Sequence, residues 1–141
     1  MIVVDASVAV KWLISERDED AAENLLRSEQ EVVGPLLLRV EVAAAVARKA
    51  RYREIPEAEA AAAIELWAAI LRGDIDLFAE DDDLHRALKL SLELDHPLQD
   101  CIYLALAERL DAPLITADEK FAAKARSRYS RVRTLAGARR S

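Results

Sequence analysis

The segment of residues 100–118 constrains the fold more than any other part of the sequence. It opens with a carboxylate at a predicted helix start, and Ile102, Ala105, Leu106 and Leu110 then recur at helical spacing. A proline ends this helix, a short strand-forming run follows, and a second aspartate lies just past its end. Ligands of an open parallel sheet bind beyond the carboxyl ends of its strands, which is where this second aspartate is expected.

The start of the chain repeats the arrangement. Residues 2–4 form a continuous β-branched apolar run, which is typical of a strand buried on both faces, and Asp5 follows at once. If the strands before Asp5 and Asp118 lie side by side and parallel, both carboxylates point into one crevice.

Composition places the chain among globular proteins. Its 141 residues fit one domain, expected to span 1–141, and a 52% hydrophobic fraction with 33% charged residues argues against disorder. The formal charge of −6 argues against a general nucleic-acid coat. Cys101 is the single cysteine, and no targeting segment or membrane span is evident, so we expect a cytoplasmic protein. Strands alternate with helices, which predicts an α/β fold with a mainly parallel sheet.

Each aspartate also has an ordinary structural interpretation. Asp5, Asp100 and Asp118 all precede helical patterns, and aspartate is a favoured N-cap residue. The three aspartates at 81–83 are interpreted as a cap and a solvated loop.

Glu41 is harder to explain structurally, because it lies among valines and alanines and shares a helix face with Ala44, Ala45 and Arg48. A carboxylate on an apolar face needs a partner. Pairing with Arg48 is the structural alternative, and a functional carboxylate is the favoured one.

Asp5, Glu41, Asp100 and Asp118 together form a candidate site. Carboxylates held close together repel unless a cation lies among them. Oxygen ligands without His or Cys suit Mg²⁺ or Mn²⁺, and such an ion can promote hydrolysis of a phosphodiester.

Four features carry a resemblance to a known family: Val4-Asp5-Ala6-Ser7, the helical Glu41, residues 99–107 (QDCIYLALA) and residues 114–118 (LITAD). As a set they resemble a PIN domain, and more narrowly the VapC-type toxins of bacterial and archaeal toxin–antitoxin pairs. Gln99 departs from the aromatic or small residue that is common at this position in the family.

The resemblance implies a three-layer α/β/α fold with a mainly parallel central sheet flanked by helices. It implies a Mg²⁺- or Mn²⁺-dependent endoribonuclease acting on RNA, usually a homodimer, restrained by a cognate antitoxin. Asp5 and Asp100 would be principal metal ligands, with Asp118 completing the pocket directly or through water. Glu41 would position the attacking water, and Ser7 and Thr116 would steady the carboxylates. Residues 58–71 offer a plausible dimer surface.

Basic residues are concentrated after Phe121, with no acid among them; they are either a solvated face or an edge that contacts RNA phosphates. The candidate RNA-binding residues are Lys11, Lys124, Arg126 and Arg128, followed further on by Arg131, Arg133, Arg139 and Arg140. His85 and His96 lack metal-ligand spacing, and His96 is interpreted as a turn residue.

Two other functions stay open. A catalytically silent PIN-like module could bind RNA or protein without cleaving it. A phosphatase with Asp5 as nucleophile fits less well, because such sites need a second aspartate two residues on, where this chain has Ser7.

Overall fold

The computed structural model describes residues 1–15 and 17–135, and it confirms the strands predicted at residues 2–4 and just before Asp118. The strands are short and consist mostly of β-branched and other apolar residues. The described part of the chain has five strands: β1 (Ile2–Val4), β2 (Val32–Pro35), β3 (Ile75–Phe78), β4 (Leu114–Thr116) and β5 (Val132–Thr134).

Helices connect every pair of consecutive strands. The first is short and continues as a single 3₁₀ turn (Val10–Trp12). The described residues contain α1 (Ala6–Ala9), α2 (Glu19–Arg27), α3 (Leu37–Arg51), α4 (Glu57–Gly73), α5 (Leu84–Leu94), α6 (Leu98–Leu110) and α7 (Glu119–Ala125).

The strands form one parallel sheet in the order β3-β2-β1-β4-β5. This confirms the predicted α/β fold with a parallel central sheet. β1 and β4 are neighbours, with Val4 beside Ile115. The chain leaves β1 toward β2 and leaves β4 toward β5, so the direction of winding reverses between them. Such a reversal opens a crevice at the carboxyl ends of the two strands. Both predicted strand-end aspartates lie just past these ends, Asp5 after β1 and Asp118 after β4.

The helices pack in two groups. α1, α3 and α4 contact one another in series, whereas α5 packs on α6. Right-handed crossovers put connections that run in opposite directions along a sheet on opposite faces. The sheet is therefore flanked by helices on both sides, as the three-layer prediction requires. No helix of the described residues is long and apolar enough to cross a membrane.

The start of α3 is fixed against the end of β2, which places Glu41. A Cβ atom at Gly34 would lie 2.8 Å from Cδ2 of Leu38, so a larger residue there would require the Leu38 side chain to shift. Glu80, just after β3, accepts a hydrogen bond of 2.7 Å from the backbone nitrogen of Leu37. The first turn of α3 thus receives a cap from a different strand end.

Two bulky aromatic residues lie in the core. Trp12 and Trp67 are both buried with ring centroids 6.3 Å apart, and each indole nitrogen donates to a backbone carbonyl, of Ala22 and of Arg39. Cys101 is fully buried, and burial raises the pKa of its thiol to about 11.

The interpretation of residues 81–83 as a cap and a solvated loop is correct for the exposed Asp81 and Asp82 and for the N-cap position of Asp83, but wrong in part, because Asp83 is not solvated. Its side chain is 3% exposed and forms a two-pronged ion pair with Arg109 of α6, at 2.8 and 3.0 Å. It makes no side-chain cap bond to α5. The residue therefore ties the start of α5 to the far end of α6.

Candidate active site

Asp5 is a buried carboxylate at the carboxyl end of β1. Its Oδ1 accepts hydrogen bonds from Ser7 Oγ at 2.5 Å and from the backbone nitrogen of Val8 at 3.3 Å, so Asp5 is also the N-cap of α1. Its Oδ2 accepts from Thr116 Oγ1 at the end of β4. The pairing of β1 with β4 thus brings the hydroxyl of Thr116, at the end of β4, next to the carboxylate of Asp5, which follows β1.

Ser7 and Thr116 extend this contact into a small network. Their hydroxyl oxygens lie 3.3 Å apart. Ser7 Oγ also accepts from the backbone nitrogen of Ala117 at 2.9 Å, and Thr116 Oγ1 accepts from that of Asp118 at 3.1 Å. Each hydroxyl accepts from the backbone and donates to Asp5, which fixes the orientation of the carboxylate.

Asp100 does not cap its helix, which corrects the sequence interpretation. The N-cap of α6 is Pro97, and Asp100 lies in the first turn. Its Oδ2 lies 2.7 Å from Nε2 of His96. His96 lies in the connection between α5 and α6, as the turn interpretation predicts, and its ring also stacks on Phe121.

Glu41 reaches the same region from α3. Its Oε1 accepts a hydrogen bond of 2.6 Å from the hydroxyl of Tyr103 on α6. The partner of this half-buried carboxylate is thus Tyr103 and not Arg48, the structural alternative that the sequence suggested. The guanidinium of Arg48 lies over the ring of Tyr52 instead, 5.6 Å from its centroid.

The electrostatics show that three of the four predicted acids influence one another. Burial raises the pKa of Asp5 to about 6, against the lowering effect of its three hydrogen bonds, and the charge of Asp100 adds to the rise. Burial and the charge of Asp100 likewise raise the pKa of Glu41, while the bond from Tyr103 lowers it. Burial and all three acids raise the pKa of Tyr103, so its hydroxyl keeps its proton and serves as a donor.

The fourth acid, Asp118, is placed differently. Its side chain is exposed, and Oδ1 accepts from the backbone nitrogen of Phe121 at 3.0 Å as the N-cap of α7. It joins the site through its own backbone nitrogen, which donates to Thr116. Within residues 1–15 and 17–135, no three His, Cys, Asp or Glu side chains lie close enough to hold a metal ion.

The donor chemistry nevertheless fits a hard divalent cation. Asp5, Glu41 and Asp100 offer only carboxylate oxygens, the ligands that Mg²⁺ and Mn²⁺ prefer. The raised pKa values of Asp5 and Glu41 come from burial and a like charge. A cation among these acids would remove that repulsion.

The predicted RNA-binding residues all have partners within the protein. Lys11 donates to the carbonyl of Arg17 at 2.7 Å, and Arg126 to that of Val132 at 3.0 Å. Arg128 pairs with Glu93 at 3.1 Å. Lys124 donates to the carbonyl of Asp95 at 2.9 Å and lies 3.4 Å from Nδ1 of His96. Lys124 is therefore linked to the acids through His96; Arg139 and Arg140 lie outside the described residues.

Sequence reasoning missed two members of the site, Tyr103 and His96. For Tyr103 the available signal was its position three residues after Asp100, because positions three apart are neighbours on a helix surface. His96 precedes the N-cap Pro97 and lies outside α6, so helical spacing gave no signal for its contact with Asp100.

Comparison with known proteins shows the family of this chain. The model of the PIN domain family matches residues 2–127, and the chain belongs to this family. It is 32% identical to Ribonuclease VapC3 of Pyrobaculum aerophilum over 124 residues, covering 87% of this chain and 93% of that protein.

Solved structures share the fold at lower identity. The protein PAE2754 of Pyrobaculum aerophilum superposes with a TM-score of 0.72 at 18% identity, over 99% of this chain and 87% of that one. A toxin–antitoxin complex from Klebsiella pneumoniae gives 0.66 at 18% identity, over 96% and 98%. VapC20 of Mycobacterium tuberculosis, described as a sarcin–ricin loop cleaving toxin, gives 0.66 at 17%, over 87% and 94%.

Proposed function

We propose that this protein is a divalent-metal-dependent endoribonuclease that acts as the toxin of a toxin–antitoxin pair. The observation that carries the proposal is the electrostatic influence among three acids: the charge of Asp100 raises the pKa of both Asp5, at the carboxyl end of β1, and Glu41, on α3. Membership of the PIN domain family and the relationship to Ribonuclease VapC3 support RNA as the substrate. An enzyme with this substrate would act in the cytoplasm.

In this proposal Asp5 and Asp100 hold the ion, and Asp118 contributes directly or through water. Bound Mg²⁺ or Mn²⁺ supplies charge neutralisation for the phosphodiester as negative charge develops on it. Ser7 and Thr116 hold Asp5 in one orientation, so a ligand oxygen does not have to be ordered when the ion binds.

Glu41 would act on the attacking water. Because Tyr103 already donates to Oε1, Oε2 is the better placed oxygen to accept a proton. Burial raises the pKa of Glu41, which brings a general base closer to the operating pH and makes proton acceptance more favourable. Tyr103, kept protonated by its surroundings, would fix the carboxylate while the proton moves.

Phosphate binding would rest on cations beside the acids. Lys124 is the candidate closest to them by its contact with His96. We propose Lys11, Arg126 and Arg128 as secondary contacts. To bind RNA phosphates, these side chains would have to leave their present partners within the protein. RNA binding should therefore weaken as the salt concentration rises, and more steeply the more phosphates the protein contacts.

The decisive experiment compares wild-type protein with Asp100→Asn on structured RNAs, with and without Mn²⁺ or Mg²⁺. We expect cleavage that requires the metal and is lost in the variant. Cleavage without metal, or an unimpaired variant, would contradict the mechanism. RNA binding without cleavage would favour a silent module, and phosphate release from a monoester would favour a phosphatase.

We also propose a protein partner and a dimer. The similarity of fold to a toxin–antitoxin complex supports a cognate antitoxin. For the dimer we propose α4, where Ile64 and Leu66 are 39% and 46% exposed. Co-expression with the neighbouring gene, followed by affinity purification, tests the antitoxin. Sedimentation of wild-type protein beside Leu66→Glu tests the dimer, since a charge at a dimer interface should yield monomers.

A further inference from the structure

The ring of His96 is held firmly in place. Its backbone nitrogen donates to the carbonyl of Ser91 at 3.1 Å, and its own carbonyl accepts from Ser91 Oγ at 2.5 Å. The imidazole stacks on Phe121 with centroids 4.7 Å apart and an interplanar angle of 25°. The side chain is only 9% exposed. Stacking and burial together restrict rotation of the ring, so its two nitrogens face fixed partners.

Those partners determine where the proton lies. Nε2 is 2.7 Å from Oδ2 of Asp100, and Nδ1 is 3.4 Å from Nζ of Lys124, which also donates to Asp95. An ammonium group has donors and no acceptor, so Nδ1 must be the acceptor of this contact. In the tautomer that satisfies this contact, the proton is on Nε2, and the ring donates it in a hydrogen bond to Asp100.

We propose that His96 is a positioning residue for Asp100, with Lys124 selecting its tautomer. The inference rests on the proposed function in assigning Asp100 to a divalent ion. The side chain of Asp100 is 37% exposed and sits in the first turn of α6. A donor on Oδ2 fixes its rotamer and leaves Oδ1 available to a cation. Hydrogen-bonded partners behind a ligand typically change metal affinity about 10–100-fold when removed.

This role differs from simple filling of space. A ring that only packs against Phe121 would work equally well as an apolar side chain of similar size. A positioning role requires an N–H at the place of Nε2. Glutamine can present such a donor and leucine cannot, so the pair His96→Gln and His96→Leu separates the two roles.

The first test is ¹⁵N spectroscopy of the imidazoles in metal-free protein. We expect the shifts of His96 to report a protonated Nε2 and a bare Nδ1, with exposed His85 as an internal reference for a ring in contact with water. Lys124→Met should reduce this preference. A His96 ring protonated on Nδ1, or one averaging between tautomers as His85 does, would overturn the inference.

The second test measures Mn²⁺ affinity by calorimetry, together with melting temperature. We expect His96→Leu to weaken Mn²⁺ binding about 10–100-fold, His96→Gln to restore most of it, and His85→Leu to have no effect. Equal affinity in wild type and His96→Leu would overturn the inference alone. Equal loss in both His96 variants with lowered melting temperatures would assign the ring to packing. Wild-type protein that binds no Mn²⁺ would instead contradict the proposed function.

Discussion

The hydroxyl of Tyr103 on α6 lies 2.6 Å from Oε1 of Glu41 on α3, so this hydrogen bond joins the two helices at the acidic site. Both residues lie within helices, and neither is at the end of a strand. The contact joins the two groups of helices beyond the end of the sheet, and it explains how a carboxylate on an apolar helix face is accommodated.

Tyr103→Phe removes that donor from a half-buried carboxylate. Because the bond lowers the pKa of Glu41, the pKa should rise in the variant, and the acid side of the rate–pH profile should move to higher pH. Stability should fall by about 1–3 kcal/mol, the usual cost of losing one partner of a buried hydrogen bond. Carboxyl ¹³C titration measures the pKa of Glu41, cleavage rates across pH measure the profile, and denaturant unfolding measures the stability.

Tyr129→Phe is the matched control. The hydroxyl of Tyr129 donates to the carbonyl of Ala112 at 2.8 Å and makes no recorded hydrogen bond to Asp5, Glu41 or Asp100. The variant should lose stability without moving the profile. A profile shift of equal size in both variants would contradict the assignment.

Glu41→Gln should slow cleavage strongly while leaving the fold intact or more stable, because a neutral amide removes a desolvated charge that Asp100 repels. The exposed Glu65→Gln on α4 is the control and should change neither property. Cleavage assays and thermal melts decide the matter. A drop of many degrees in the melting temperature of Glu41→Gln would assign the residue to structure.

The pKa of Asp5 gives stability a specific dependence on pH. In the folded protein it is raised from 3.8 to about 6, so between about pH 4 and pH 6 the folded state holds a proton that the unfolded state has released. Stability therefore falls as pH rises through this window, by up to about 3 kcal/mol, and stays lower above it.

Asp5→Asn removes this loss because it cannot ionise. In chelator-treated buffer, urea unfolding should show the variant gaining on wild type from about pH 4 to about pH 6, with a constant advantage above. A difference that is the same at every pH would mean that the carboxyl does not titrate in this window. Added Mn²⁺ should narrow the gap at neutral pH, since it would stabilise only the wild type.

Asp83→Ala should destabilise the protein by about 1.5 kcal/mol, the order expected for a hydrogen bond to a charged group. The carboxylate of Asp83 is buried, but the side chain of Arg109 is 37% exposed, so water can hydrate the guanidinium that the variant leaves without its partner. The adjacent Asp82→Ala, at an exposed position, should change stability by less than about 0.5 kcal/mol. Denaturant unfolding of the two variants, neither of which touches the site, provides the comparison.

Local patterns in the sequence were sufficient for the strands, most helices and the two strand-end aspartates. A β-branched run followed by aspartate predicts a strand and the N-cap of the next helix, because both properties depend on neighbouring residues alone. That reasoning succeeded for Asp5 and Asp118, and it placed Glu41 on a helix face that needed a partner.

Tertiary structure alone decided which side chains meet. The partner of Glu41 is Tyr103, 62 positions away, and the partner of Asp83 is Arg109 rather than water. It also left Asp118 exposed while burying Asp5. Sequence period fixes the face of an element on which a residue lies, but the choice between partners depends on how the two groups of helices pack across the sheet.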